Sequence, residues 1–111
     1  MRFGTLLLIT ALVVFPASVS SADGEPVLKT TIRGQRFIPA EIHIKGNTPF
    51  VLQVSNEDSI PVEFESADLN KEKIVPPGKT IEMKFKGLPP GSYEFFSDFG
   101  PKDLKGKIIV E

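Results

Sequence analysis

The chain of 111 residues contains no cysteine and a single histidine, His43, and these two scarcities close off much of the chemistry of protein sites. Without a thiol there is no disulfide, no thiolate nucleophile and no soft sulfur ligand for a metal. With one histidine there is little to act as a general base. Ser97 stands beside Asp98, but the imidazole belongs to a distant segment, so no Ser-His-Asp arrangement can form and no enzyme is expected. Long apolar runs are scarce too: the main one, Leu6 to Phe15, is about half of the roughly 20 residues a helix needs to cross a bilayer. Nor is there an excess of one charge, since 13 basic residues against 14 acidic ones leave no basic surface for a nucleic acid.

The apolar run follows Arg2 and precedes Ser20-Ser21-Ala22, the order of basic region, apolar region and small-residue cleavage site in a secretory signal. Residues 1–22 are therefore expected to be a signal peptide and residues 23–111 one periplasmic or secreted domain. No stable membrane anchor is expected after cleavage, and a lipoprotein anchor lacks the cysteine it would need. A domain of this size is near the lower limit for a self-sufficient core. Packing must hold it together, and seven of the nine phenylalanines come after residue 36.

No window of that domain sustains a helical period, whereas short alternating or apolar runs bounded by Gly and Pro recur about every ten residues. Strands are expected over Val27–Arg33, Ala40–Lys45, Phe50–Ser55, Val62–Glu65, Thr80–Phe85, Ser92–Phe96 and Gly106–Val110. Seven short strands imply an all-β Greek-key sandwich of two sheets. Lys45-Gly46-Asn47, Pro76-Pro77-Gly78 and Leu88-Pro89-Pro90-Gly91 are turns, combining fixed with permissive φ. Val62 and Phe64 should point inward, which sends Glu63 and Glu65 outward on one face. Met83 alternates with charged neighbours and is a core residue. His43, between Ile42 and Ile44, should face solvent with Glu41 beside it, and is not read as a ligand. The segment Ala67–Val75 is polar and lacks alternation, so a surface loop with at most one helical turn is expected there.

Several ordered segments carry a resemblance: Phe37-Ile38-Pro39-Ala40-Glu41-Ile42 with Gly46-Asn47-Thr48-Pro49, Asn56-Glu57-Asp58, Pro76-Pro77-Gly78-Lys79-Thr80, Pro90-Gly91-Ser92-Tyr93-Glu94-Phe95-Phe96, and Lys105-Gly106-Lys107-Ile108-Ile109-Val110. Together they resemble the single-domain cupredoxin family, which implies a cupredoxin-like β-sandwich. In that family two histidines, a cysteine and an axial methionine bind type 1 copper. Their places here fall on Val62, Ser97, Gly100 and Leu104. Three of these side chains have no donor atom and a serine hydroxyl does not replace a thiolate, so no type 1 copper is expected.

What surrounds those positions is oxygen: Glu57, Asp58, Glu63, Glu65, Asp68 and Glu72, then Glu94, Asp98 and Asp103. Such donors suit ferric iron, manganese, calcium or magnesium, while a solvated acidic face is the plainer reading. The stretch Asn56-Glu57-Asp58-Ser59 with Glu63-Phe64-Glu65-Ser66 resembles the cupredoxin-like components of bacterial iron-uptake systems. That resemblance implies a periplasmic accessory of metal uptake, with carboxylate-bound iron or another hard ion at Glu63, Glu65 and Asp98. It also implies an iron permease or a periplasmic metal-binding protein as partner. Gly100 departs from the pattern, because members of that group keep a histidine before the proline. The alternative is a metal-free protein-interaction module whose partner-binding residues are Phe99, Pro101 and Leu104.

Overall fold

Period-two alternation is realised strand by strand in the computed structural model, which describes residues 24–101 and 104–111. The expected signal segment, residues 1–22, and Asp103 lie outside the described residues. Nine strands are formed: β1 (Val27–Ile32), β2 (Phe37–Ile38), β3 (Glu41–Ile44), β4 (Phe50–Asn56), β5 (Val62–Ser66), β6 (Lys71–Val75), β7 (Thr80–Phe85), β8 (Gly91–Phe96) and β9 (Lys105–Val110). They make a four-stranded sheet of order β2-β1-β4-β7 and a five-stranded sheet of order β3-β9-β8-β5-β6. The β1/β4 and β3/β9 pairs are parallel and the others antiparallel, so both sheets are mixed. Among the described residues no helix is long and apolar enough to cross a membrane.

All seven expected strands are present, with bounds displaced by no more than one residue. The segment Ala67–Val75 is a correction: only residues 67–70 turn, and Lys71–Val75 is strand β6, paired antiparallel with β5. Asn70 supplies the turn, with φ of 54° and its N–H donating to the Ala67 carbonyl at 3.2 Å; asparagine is among the few side chains that tolerate this conformation. Strand β6 escapes a reading by hydrophobicity because it lies at the sheet edge and fully buries only Val75. Charged residues on an edge strand are the usual guard against pairing with other chains.

The core is phenylalanine-rich where the sheets meet. Phe95 packs edge-on against Phe37 and stacks on Phe64, each at 4.9 Å between centroids, and Phe50 stacks on Phe85 at 4.9 Å. Burying each ring stabilises by about 1.5–3 kcal/mol. Gly106 belongs to this packing: a Cβ there would lie 2.5 Å from the Ala40 carbonyl oxygen and 2.6 Å from Phe95 Cζ, so β9 approaches its neighbours too closely for any side chain. The buried Asn56 is satisfied all round. Its amide nitrogen donates to the carbonyls of Ile60 (2.8 Å) and Val75 (3.0 Å), and its side-chain oxygen accepts from the Asp58 N–H (2.9 Å). This one side chain therefore ties the loop before β5 to the end of β6, and so helps fix the register on which the acidic residues depend. Met83 is buried, as its alternation implies.

Candidate functional site

Val62, Ser97, Gly100 and Leu104 are neighbours in space as well as in pattern. The Ser97 N–H donates to the Leu104 carbonyl at 3.0 Å, the Leu104 N–H donates to the Pro101 carbonyl at 3.1 Å, and the Glu63 N–H next to Val62 donates to Ser97 Oγ at 3.2 Å. A Cβ on Gly100 would touch Leu104 Cδ2 at 3.7 Å. The space is filled rather than open: Val62 is 4% exposed and Leu104 1%. Ser97 Oγ also accepts from the Phe99 N–H at 3.1 Å and donates to the Phe99 carbonyl at 2.9 Å. A hydroxyl has one proton and two lone pairs, so every bond it can make is used, two by Phe99 and one by Glu63 of β5, and none remains for a metal. The donor set does not fit copper: the protein has a cupredoxin-like fold with no cysteine and no type 1 copper site.

The carboxylates lie on the outer face of the five-stranded sheet, one layer above that plug. Val62, Phe64 and Ser66 are buried, which turns Glu63 and Glu65 outward and leaves both half-buried. Glu65 is the register partner of Glu72 on β6 and of Phe96 on β8. Side chains directly opposite in an antiparallel pair have Cβ atoms about 4.5–5.5 Å apart, so pairing alone brings Glu72 to Glu65. Oxygens from Glu63, Glu65 and Glu72 all lie within 4.8 Å of one another. Asp98, on the loop after β8, comes within hydrogen-bond reach of Glu65, an interaction that requires a proton on one of the two carboxyls.

Electrostatics follow from this crowding. The bond to Asp98, then burial, then the charges of Asp98, Glu72 and Glu63 push the Glu65 carboxyl up to about 7. Glu63 is also raised, by burial first and by Glu72 next. Glu65 Oε2 is closed off from solvent with no hydrogen-bond partner among the described residues. Nor does a salt bridge among those residues compensate the group. The nearest lysines in sequence are on the other face of β6: Lys71 Nζ lies 5.3 Å over the Phe85 ring, and Lys73 Nζ donates to the Glu82 carbonyl at 3.4 Å. Surface cavities flank the group on either side of Phe96. One, of about 240 Å³, is bordered by Glu65, Glu72 and Lys71, and the other, of about 390 Å³, by Asp98 and Lys105.

Glu63, Glu65 and Asp98, the expected ligands, are thus brought together. Glu72 joins them, missed as a site residue because it lies in the segment read as loop; the signal was the Asp68-Leu69-Asn70 turn followed by Ile74-Val75. Other acids are engaged elsewhere. Glu57 pairs with Arg33 at 2.8 Å, Asp58 accepts from the Gly34 and Gln35 N–H groups, and Asp68 accepts from the Glu94 N–H. Glu94 faces Lys107 on β9. Of the expected partner-binding residues, Phe99 is 39% exposed and Pro101 half-buried, but Leu104 corrects the expectation. Its side chain is part of the core, held there by the backbone bonds that Leu104 makes with Ser97 and Pro101.

Comparison with known proteins agrees with the geometry. The cupredoxin-like domain family matches residues 5–110. An uncharacterized protein of Rickettsia prowazekii (strain Madrid E) is 40% identical over 83 residues, spanning 75% of this chain and 66% of its own, just under two thirds of that relative. Among solved structures, the metal-binding domain of the Streptococcus pneumoniae Cu(I)-exporting P-type ATPase superposes with a TM-score of 0.68 at 16% identity, over 85% of this chain and 93% of that one. A purple cupredoxin from Nitrosopumilus maritimus gives 0.59 at 20% identity, over 76% and 99%. Amicyanin from Paracoccus versutus gives 0.61 at 18% identity, over 83% and 85%. At these identities the structural likeness speaks for the fold alone. With the profile match spanning nearly the whole sequence and the sandwich in place, the chain belongs to the cupredoxin-like domain family.

Proposed function

We propose that this protein is a non-enzymatic accessory of metal uptake that binds a hard cation, iron foremost, on the carboxylate face of β5 and β6. The observation that carries the reading is the convergence of Glu63, Glu65 and Glu72, with Glu65 Oε2 buried and without a partner. Like charges placed directly opposite on a sheet are destabilising, and a bound cation relieves that repulsion. Oxygen-only ligation favours ferric iron, manganese, calcium or magnesium over cuprous copper. Asp98 would complete the set from the loop. Binding would weaken as pH falls, because ligands must be deprotonated. Periplasmic location and an iron permease or metal-binding protein as partner rest on the resemblance of the Glu63-Phe64-Glu65 element to cupredoxin-like iron-uptake components.

Calorimetric titration with ferric, manganous and cupric ions tests this. Saturable binding of the hard ions is expected, lost in Glu63→Ala/Glu65→Ala and weakened in Glu72→Ala. Absence of saturable binding, or binding indifferent to those substitutions, removes the ligand role. The metal-free interaction module draws support from the exposure of Phe99 beside Pro101. Under that reading Phe99→Ser abolishes capture of an envelope partner while the carboxylate substitutions do not.

A further inference from the structure

The opposite edge of the same sheet carries a different ionic arrangement. His43 on β3 has Nδ1 2.5 Å from Glu111 Oε1 and Nε2 3.2 Å from Glu41 Oε1. Carboxylate oxygens only accept, so a ring bonded at both nitrogens must donate at both, and only the imidazolium does so. A neutral ring keeps one of the bonds and turns a bare lone pair toward the other carboxylate. The position of this contact gives it a structural reach. Strand β3 ends the sheet and is held there by β9, in parallel register from Glu41↔Lys107 to Ile44↔Val110. Just past that ladder the Glu111 N–H donates to the Ile44 carbonyl at 2.9 Å, and the Gly46 N–H donates to the Glu111 carbonyl at 2.6 Å. The bond from His43 to Glu111 therefore lies across the seam that the backbone bonds close, while Glu41, on the same strand as His43, holds the other side of the ring.

Other groups face the ring from each neighbouring element. Lys45 borders the same surface depression as His43 and Glu111. On β9, Ile109 is opposite His43 and Lys107 is opposite Glu41, with Glu94 of β8 beyond it. Burial opposes protonation of the ring, but the two carboxylates at hydrogen-bond distance prevail. The imidazole pKa is raised above 6.5, chiefly by the bond to Glu111.

We propose that His43 and Glu111 form a proton-operated staple that fastens edge strand β3 to the end of β9, with Glu41 bracing the ring from its own strand, and that the staple weakens when loss of the imidazolium removes the charge pair across the seam. Because the folded state holds this proton more tightly than the unfolded chain does, the stabilisation is fully present below pH 6.5 and is lost as pH rises through the folded pKa. A proton titration of the full chain followed by NMR tests it. The His43 ring is expected to titrate above 6.5, with the midpoint lowered more by Glu111→Gln than by Glu41→Gln. The amides of Gly46 and Glu111 are expected to follow the same titration, and to stop doing so in His43→Gln. This residue is largely exposed, so that variant keeps the fold. A midpoint at or below 6.5, a midpoint indifferent to Glu111→Gln, or seam amides that titrate alike in His43→Gln overturns the staple.

Discussion

The outer face of the five-stranded sheet has two halves built from similar residues and wired differently. Across β3, β9 and β8 the register sets Glu41, Lys107 and Glu94 in a row of alternating sign, with His43 between two carboxylates at the sheet edge. Across β5 and β6 the register sets Glu65 against Glu72, with Glu63 and Asp98 beside them and their lysines turned to the other face. In the first half the acidic residues are exposed and lie opposite a lysine or beside the imidazole. In the second, the same residue type gathers with no salt bridge to it among the described residues, and Glu65 is pushed up to about 7. An acidic residue is thus not informative by being acidic. It becomes so when backbone pairing forces it against others and no ion pair offsets the crowding.

The largest effect on this contrast is expected from Leu104→Ala. Emptying a fully buried leucine site costs about 2–5 kcal/mol, readable by urea denaturation, and it unseats the loop that carries Asp98. The Glu65 pKa should then fall below 7 while that of His43 stays unchanged. If both move together, the halves are not independent.

Next in size is the pH dependence of the acidic half. Glu65 is protonated in both states below about 4.5, and between 4.5 and about 7 the folded protein holds the proton more tightly than the unfolded chain. Stability should therefore fall as pH rises through that window, and Glu65→Gln should flatten the decline. A parent protein whose melting temperature does not fall between pH 4.5 and 7 would erase the distinction drawn between the halves.

The smallest and sharpest test exchanges the wiring. Glu72→Lys places a cation opposite Glu65 and should raise the melting temperature at pH 8 by a few degrees, with little effect at pH 4. Lys107→Glu breaks the alternating row and should lower the melting temperature at pH 8 by a similar amount. Equal responses from both substitutions would mean that cross-strand charge does not differ between the halves.

How much of this was legible in the residues varies with what each strand buries. Strands that alternate apolar and polar residues, such as Phe50–Asn56 or Thr80–Phe85, announced themselves, because burial of one face leaves its period in the sequence. Strand β6 did not, since an edge strand that buries little apolar surface writes no such period. Glu72 was therefore counted among the surrounding acids but not placed in the ligand set with Glu63, Glu65 and Asp98. Leu104 was placed at the surface by analogy of position, but its side chain is packed in the core. The two-residue β2 is too short for any pattern to declare.

By itself the sequence determined the class of the fold and the absence of a type 1 copper site, because composition and period are local properties: no cysteine means no thiolate, and alternation means strands. It also determined that Glu63 and Glu65 share a face, since residues two apart on a strand always do. Only the tertiary structure decided which carboxylates meet. Glu65 finds Glu72 through the β5/β6 register and Asp98 through the closure of a loop, and His43 finds Glu111 from 68 positions away. Those encounters depend on where chain segments far apart in sequence are held, and electrostatic coupling between acids exists only at the distances that such packing creates.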